Sequence, residues 1–179
     1  MRTRYKTSKA GKAEKTAEIY TRKEHGIPRS KVDGDAVKVI RRLERYGYEA
    51  YVVGGAVRDL LLGRDPKDFD IATNATPNQI RKLFRNSRVI GRRFRLVHIL
   101  FRDKIIEVST FRSRESAGFN NVYGEIEEDV VRRDFTANAL YYSPTNETVV
   151  DFVGGVKDLK SRRLVPIIPL DRIFSEDPV

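Results

Sequence analysis

Apolar residues recur at helical spacing from residue 35 onward, after a long polar stretch. Between residues 35 and 47 they lie three or four positions apart, which predicts an amphipathic helix that Asp35 can cap. The apolar run 48–53 predicts a buried strand, Gly54-Gly55 interrupts it, and residues 56–62 predict a short second helix. This part of the chain therefore reads as helix, strand, glycine turn and helix in succession.

The rest of the chain shows a mixture of strand and helix patterns. The predicted elements are a strand at 68–72, a helix that begins at Pro77 with Thr76 as its cap, strands at 97–101 and 105–111 joined as a hairpin, a helical segment at 135–142, and a strand at 148–152. Hairpins interspersed with helices are typical of an α/β or α+β domain with a mixed sheet and flanking helices.

The first 27 residues lack any sustained apolar periodicity. We expect residues 1–27 to be a basic, mobile arm with a weak helix near residues 13–20. The length of 179 residues is usual for one domain. We therefore expect residues 28–170 to form that domain, with residues 171–179 beginning a further segment.

The amino-acid composition excludes several classes of functional site. The chain has no Cys and only two His, which excludes disulfides, a thiol nucleophile and the usual zinc sites, so any metal must be held by oxygen ligands. No apolar run approaches the length of a membrane span, and we expect a cytoplasmic protein without a membrane partner.

Charge points to a polyanionic partner. The net charge is +10; residues 1–31 hold ten Lys/Arg and three Glu, and residues 81–95 hold seven Lys/Arg and no acid. Each cluster alone is also compatible with a solvated tail or helix face. Two such clusters favour RNA, and the candidate RNA-binding residues in the second cluster are Arg81, Lys82, Arg85, Arg92 and Arg93.

Asp68 and Asp70 flank Phe69 in the predicted strand 68–72. Side chains two positions apart in a strand project to the same face. Two carboxylates aimed together repel unless cations lie between them, and magnesium is commonly held by one or two carboxylates with water and substrate phosphates. Surface alternation explains many Asp-X-Asp sequences, so the neighbouring turn is needed to support this interpretation.

That turn suits a phosphate. Gly54 and Gly55 allow close approach of the backbone, the helix that follows points its free amides toward an anion, and Arg58 can clamp phosphate oxygens. The alternative is a structural turn in which Arg58 pairs with Asp59. Neither the Walker-type Gly-Lys-Ser/Thr motif nor Gly-X-Gly-X-X-Gly is present, which argues against P-loop and Rossmann sites.

Four ordered motifs carry a resemblance to a known family. They are Val-Gly-Gly-Ala-Val-Arg-Asp-Leu at 53–60, Lys-Asp-Phe-Asp-Ile at 67–71, Glu-Val-Ser-Thr-Phe-Arg at 107–112, and Glu-Asp-Val-Val-Arg-Arg-Asp-Phe-Thr-Ala-Asn-Ala-Leu at 128–140. Together they resemble the head domain of the bacterial poly(A) polymerase and tRNA nucleotidyltransferase (CCA-adding enzyme) family, over about residues 25–179. Residues 25–40 and 91–98 resemble poly(A) polymerases more closely.

The resemblance implies the following site residues. Asp68 and Asp70 match the catalytic, magnesium-binding aspartates, and Asp134 looks like the third acidic position. The nucleotide-binding positions that it implies are Gly55, Arg58, Thr110, Arg112 and Arg133, and Gly54 belongs to the same turn. For Glu107 we favour a structural strand acid, and for His98 a hydrogen-bonded core residue.

The resemblance also implies an activity: magnesium-dependent, template-independent transfer of AMP from ATP to RNA 3′ ends, in mRNA or tRNA processing. The alternative is a CCA- or A-adding tRNA nucleotidyltransferase, and a non-catalytic nucleotide- or RNA-binding module is the alternative from another class. The family's neck helix begins with Glu-Asp-X-X-Arg, and this sequence ends at Glu176-Asp177-Pro178-Val179. We expect a catalytic head whose neck and body are missing and supplied in the same chain or by a partner.

Overall fold

A computed structural model describes residues 2–7, 13–91, 95–113, 122–171 and 173. The strands are β1 (Arg2–Thr7), β2 (Ala13–Thr21), β3 (Ala50–Val53), β4 (Asp70–Thr73), β5 (Ser87–Ile90), β6 (Leu96–Leu100), β7 (Ile105–Thr110), β8 (Leu140–Ser143) and β9 (Thr148–Asp151). The helices are α1 (Arg22–His25), α2 (Gly34–Arg45), α3 (Gly55–Leu61), α4 (Pro77–Leu83), α5 (Ile126–Val130) and α6 (Gly155–Lys160), with 3₁₀ turns at Arg29–Lys31 and Thr136–Asn138. Over these residues no helix has the length and apolar character needed to cross a membrane.

The described strands form one mixed sheet in the order β1-β2-β9-β8-β3-β4-β7-β6-β5. β4 and β7 run parallel, and the other neighbouring pairs in this order are antiparallel. The α4 helix and the strands β5 and β6 lie between β4 and β7 in the chain, as a parallel crossover requires. The expected mixed sheet with flanking helices is confirmed.

The two faces of the sheet carry different layers. On one face α2, α3, α4 and α6 pack through buried side chains such as Leu43, Val57 and Ile80. On the other face α5 packs near a cluster that includes Phe111 and Tyr141. Because side chains alternate along a strand, neighbouring residues of β3 and β4 belong to different clusters. The helix-rich face is therefore separated from the second face by the sheet itself.

The helices that the apolar spacing predicted are present at α2, α3 and α4. Thr76 caps α4 in a reciprocal capping box with Gln79, and Pro77 occupies its first turn, as the sequence predicts. In α2 the cap is Asp33 rather than Asp35, because the Asp33 Oδ1 atom accepts hydrogen bonds from the amides of Asp35 and Ala36 at 2.8 and 3.0 Å. Asp35 instead pairs with Lys38 at 2.7 Å.

The helix predicted near residues 13–20 is wrong, because these residues lie in β2. β2 is hydrogen-bonded to β9, with Glu18 opposite Asp151 and Tyr20 opposite Val149. Ala17 and Tyr20 are buried, so β2 belongs to the sheet rather than to a separate arm. The free edge of β9 supplies the hydrogen-bonding partners that make a strand favourable here, and local propensity does not reveal such an edge.

The helical segment predicted at 135–142 is also wrong over its second half. Residues Thr136–Asn138 form a 3₁₀ turn and Leu140–Ser143 form the strand β8. Every residue of β8 is buried, because the strand lies inside the sheet with side chains packed on both faces. A continuous apolar run of this length does not distinguish a buried strand from a buried helix. The short strand β5 is likewise absent from the sequence-based prediction.

The side chain of His25, the last residue of α1, is held by hydrogen bonds and a ring contact. Its Nδ1 atom accepts a hydrogen bond from the Ile27 amide at 3.0 Å, and its Nε2 atom lies 3.0 Å from the Glu147 carbonyl oxygen. Its ring meets the Tyr142 ring edge to face at 5.7 Å. Burial lowers the pKa of His25. The neutral ring with its proton on Nε2 is the form that satisfies both contacts.

We therefore expect the free energy of unfolding to decrease as the pH falls below about 6.5, because the unfolded chain takes up the His25 proton first. His25→Asn should lower stability at pH 7 and flatten this dependence, whereas His98→Asn should retain it. Urea unfolding at pH 5 and pH 7 measures both effects. The prediction would be contradicted if the pH dependence of the free energy of unfolding disappeared in the His98 variant and persisted in the His25 variant.

Candidate active site

The glycine turn and the acidic strand lie at the same end of the sheet. β3 and β4 are antiparallel with Val53 opposite Asp70, so the turn that follows β3 lies beside the start of β4. Asp68 and Asp70 are exposed on either side of Phe69, which is 8% exposed. β4 begins at Asp70, two residues later than predicted, but the expected alternation of side chains holds across all three residues.

A third carboxylate stands next to this pair. β4 and β7 are parallel with Ile71 opposite Val108, which places Glu107 beside Asp70 one position earlier. The pKa of Asp70 is raised by desolvation and then by the negative charges of Glu107 and Asp68, while the charge of Arg133 lowers it. Asp68, Asp70 and Glu107 therefore form a concentration of negative charge, which we call the acidic cluster.

Glu107 is the site residue that sequence reasoning assigned to a structural role. Its Oε2 atom lies 3.1 Å from the Nε2 atom of His98 on the neighbouring strand β6. The spacing Glu107-Val-Ser109 matches the alternation of a strand with one polar face, but only the parallel pairing with β4 brings Glu107 to Asp70. The contact with Glu107 agrees with the expectation that His98 is hydrogen-bonded, but its side chain is 28% exposed and does not belong to the core.

Arg58 is held beside the glycine turn by two side chains. Its Nε atom donates to Asp59 at 3.0 Å and its Nη1 atom donates to Asn138 at 2.9 Å. Gly54 has φ +73°, a conformation that favours glycine, and an ideal Cβ on Gly55 would lie 3.4 Å from Nη2 of Arg58. The pairing with Asp59 is thus present. Together the contacts with Asp59 and Asn138 use two of the five N–H donors of Arg58 and leave three, and its side chain is 37% exposed.

Asp134 joins this arginine network rather than the acidic cluster. Both of its carboxylate oxygens accept from Asn138 Nδ2 at 3.2 Å, and Oδ1 also accepts from the Phe135 amide at 2.7 Å. Asn138 therefore bridges Asp134 to Arg58. Sequence reasoning gave Asn138 no role, although its position four residues after Asp134 was a usable signal.

Arg133 belongs to a buried hydrogen-bond network with Tyr141 and Asp129. Its Nε donates to the Tyr141 hydroxyl and its Nη2 to Asp129, both at 2.9 Å, and the Tyr141 hydroxyl donates to Asp129 at 2.7 Å. Burial raises the pKa of Tyr141, so its hydroxyl stays protonated. Since Tyr141 lies opposite Val53 and Val53 lies opposite Asp70, this network shares the face of the acidic cluster.

The structure does not bring Thr110 to this face. Thr110 is buried, shares its side of β7 with Ile106 and Val108, and donates its hydroxyl to the Ala75 carbonyl at 2.7 Å. Arg112 follows β7, and its amide donates to Asp129 at 3.2 Å. Burial, with the nearby positive charges of Arg132 and Arg133, lowers the pKa of Arg112.

The predicted RNA-binding residues separate into three groups. Arg81 donates to the Ser87 carbonyl, which ties α4 to β5. Lys82 and Arg85 are exposed on and just after α4, on the helix-rich side of the sheet. Arg92 and Arg93 lie outside the described residues. Lys82 and Arg85 therefore lie on the opposite side of the sheet from the acidic cluster.

The acidic cluster fits a magnesium ion in its donor chemistry. Asp68 and Asp70 supply oxygen ligands, and the negative charges of Glu107 and Asp68 help to raise the pKa of Asp70. Within the described ranges, no group of three or more His, Asp or Glu residues could by itself hold a metal ion. A magnesium ion here would therefore complete its coordination with water and substrate phosphates, which is its usual arrangement.

Comparison with known proteins identifies a family. The family model of the Poly A polymerase head domain matches residues 50–165. Poly(A) polymerase I of Escherichia coli O6:H1 is 49% identical over 177 residues, which cover 90% of this chain and 38% of that protein. The CCA-adding enzyme of Geobacillus kaustophilus is 39% identical over 151 residues, which cover 79% of this chain and 36% of that protein. The chain thus spans less than two fifths of the length of these curated relatives.

A solved structure also shares the fold. The crystal structure of Bacillus stearothermophilus CCA-adding enzyme in complex with CTP superposes with a TM-score of 0.68 at 37% identity, covering 79% of this chain and 35% of that chain. The higher identity to poly(A) polymerase I than to the CCA-adding enzyme confirms the closer resemblance to poly(A) polymerases. With its family match and its nucleotidyltransferase fold, the chain belongs to the poly A polymerase head domain family.

Proposed function

We propose that the chain is the catalytic head of a template-independent nucleotidyltransferase that transfers AMP from ATP to the 3′ end of RNA. The observation that carries the proposal is the placement, at one end of the sheet, of the acidic cluster and the free N–H donors of Arg58. The acids supply ligands for a cation and Arg58 supplies donors for phosphate oxygens. A nucleoside triphosphate bound with magnesium presents both kinds of partner.

In this reaction the 3′-oxygen of RNA forms a bond to the α-phosphorus, and the bond from that phosphorus to the bridging oxygen of the β-phosphate breaks. Pyrophosphate leaves with the electron pair, and the hydroxyl proton passes to water. Arg58 binds the β- and γ-phosphates at the Gly54-Gly55 turn, and Asn138 and Asp59 hold its guanidinium in place. Preorganised donors of this kind stabilise charge as it develops on the leaving group.

The acidic cluster would act on the phosphate charge and on the attacking hydroxyl. Asp68 and Asp70 would hold magnesium, whose chemistry when bound is to neutralise phosphate charge and favour ionisation of the attacking hydroxyl. Glu107 raises the negative potential at Asp70, and His98 orients Glu107 through the 3.1 Å contact. Arg133 limits the mutual repulsion of the acids through its positive charge.

Addition of CMP and AMP to tRNA is the second candidate function. It is favoured by the fold shared with a CCA-adding enzyme solved in complex with CTP. Arg58, the glycine turn and the acidic cluster act on parts common to all nucleoside triphosphates. We favour ATP as the substrate because the chain is more identical to poly(A) polymerase I than to the CCA-adding enzyme.

Isothermal titration with ATP tests the proposal. We expect binding in the presence of magnesium, and Arg58→Lys should weaken it about tenfold, or about 1.4 kcal/mol, because an ammonium cannot keep the contacts to Asp59 and Asn138 while presenting a fork to phosphate. The matched control is Arg102→Lys, at the exposed tip of the β6–β7 hairpin, which should bind as the wild type does. Equal affinities for all three proteins would contradict the assignment of Arg58 to phosphate.

A further inference from the structure

The exposed side of α2 carries a row of cations that the proposed reaction does not use. Arg41, Arg42 and Arg45 are exposed, while Val39 and Leu43 of the same helix are buried in the core. Sequence reasoning placed basic residues on α4 but assigned nothing to those on α2. In the fold α2 and α4 pack next to each other on the same face of the sheet.

A groove runs between these two helices. One depression of about 400 Å³ is lined by Arg41, Arg42 and Arg45 with Phe84 in its wall. A second depression of about 370 Å³ is lined by Lys82 and Arg85 and shares Arg42 and Phe84 with the first. Since the two depressions share residues, they form one continuous surface, which we call the α2–α4 groove. Among the residues that the structure describes, no Asp or Glu lines either depression.

The nearby acids are already engaged elsewhere. Lys104 pairs with both Asp33 and Asp35 at the start of α2, and Glu44 accepts a hydrogen bond from Thr145 at 2.7 Å. The Arg42 guanidinium lies 5.5 Å from the centre of the Phe84 ring, in a cation–π contact that fixes it in the groove. Among the described residues, four groove cations have no ion-pair partner: Arg41, Arg45, Lys82 and Arg85.

The groove is separate from the candidate active site. α2 and α4 pack on the face of the sheet that contains Val52 and Ile71, whereas Asp70 lies opposite Val53 on the other face. The groove therefore lies on the opposite face of the sheet from the acidic cluster. The charge of the groove, its length across two helices and its lack of acids suit an extended polyanion.

We propose that the α2–α4 groove binds the phosphodiester backbone of RNA, at a segment upstream of the 3′ end that reacts on the opposite face. The inference rests on the proposed function, because RNA is the polyanion which that reaction requires. Lys and Arg side chains that neutralise phosphates release counterions, so this binding is sequence-independent and sensitive to salt. An acidic protein segment is the competing occupant that the experiment must separate from RNA.

The test compares two triple variants of the chain with equal loss of charge. Arg41→Gln, Arg45→Gln and Lys82→Gln together remove three groove cations, and Arg42 is left in place because it packs on Phe84. The control combines Lys23→Gln, Lys160→Gln and Arg162→Gln, three exposed cations outside the groove. Binding of a fluorescent 20-nucleotide oligoadenylate is measured by anisotropy over a range of salt concentrations, without nucleotide or magnesium. Thermal unfolding checks that both variants are folded.

We expect the groove variant to bind RNA at least about tenfold more weakly than the control, and the slope of log affinity against log salt to fall by about 2, or about 0.7 for each lost phosphate contact. Equal affinities and slopes for the two variants would overturn the proposal. Polyglutamate that displaces the RNA from the wild type at equal charge concentration would also overturn it, in favour of an acidic protein partner.

Failure of this proposal is distinguishable from failure of the proposed function. The groove variant should bind ATP with magnesium as the wild type does, because the acidic cluster and Arg58 are unchanged. Normal ATP binding with equal RNA affinities would reject the groove alone. A wild type that does not bind ATP would reject the proposed function, and the RNA comparison would still report on the groove.

Discussion

Asp70→Asn is expected to weaken magnesium-dependent ATP binding by at least about tenfold, or about 1.4 kcal/mol, and to raise the melting temperature of the nucleotide-free protein. The two effects have one cause. Partial desolvation of the Asp70 carboxyl and the negative charges of Glu107 and Asp68 raise its pKa. Neutralising Asp70 removes charge repulsion from the metal-free and nucleotide-free protein, and it also removes one of the proposed magnesium ligands. Function and stability therefore oppose each other at this position.

The pH dependence of the stability gain has a definite sign. The pKa of Asp70 in the folded protein lies above its value in the unfolded chain, so protonation favours the folded state. This carboxyl lowers stability as the pH rises from about 3.9 through its folded pKa, and the loss persists at pH 7. The gain from Asp70→Asn should be complete at pH 7 and disappear toward pH 3.

Differential scanning fluorimetry and titration calorimetry on the same preparations measure both effects. Asp103→Asn is a matched control, because Asp103 is an exposed acid at the tip of the β6–β7 hairpin. It should change neither the melting temperature nor ATP binding. Unchanged magnesium-dependent binding in the Asp70 variant would place the metal site elsewhere, and a lower melting temperature would contradict the electrostatic account.

Asp151→Ala is expected to lower the free energy of unfolding by at least about 3 kcal/mol, because buried donors left without a partner cost about 1 to 3 kcal/mol each. Asp151 is 2% exposed and lies at the end of β9. Its Oδ1 atom accepts from the amides of three consecutive residues at 2.8 to 3.1 Å, and its Oδ2 atom accepts from the Val156 amide at 2.9 Å. One carboxylate thus joins the sheet to the start of α6.

The effect should extend to the candidate site. α6 packs against the 3₁₀ turn that carries Asn138, and an ideal Cβ on Gly155 would lie 2.2 Å from the Thr136 carbonyl oxygen. If Asp151→Ala leaves the protein folded, ATP binding should weaken as well, because Asn138 positions Arg58. Asp151→Asn keeps one acceptor oxygen and should lose less stability. Urea unfolding orders the three proteins, and an alanine variant as stable as the wild type would contradict the prediction.

The sequence by itself was enough to predict much of the part of the site that would bind phosphate and metal. Local signals were sufficient there: a glycine that adopts φ +73°, Arg58 four residues later, and two acids on either side of a buried Phe69. The capping box at Thr76 and the β6–β7 hairpin were predicted for the same reason, since their contacts span only a few residues. Motif order likewise identified the family before any fold was known.

Tertiary structure decided the features that depend on pairing between distant segments. Glu107 joins Asp70 only because β4 and β7 are adjacent and parallel, and residues 13–21 form a strand because β9 offers them an open edge. Asn138 connects Asp134 to Arg58 across distant positions in the chain, and Arg41 and Lys82 line the same groove because α2 and α4 share one face of the sheet. Strand register and helix packing bring these residues together, and neither can be read from the periodicity of a single segment.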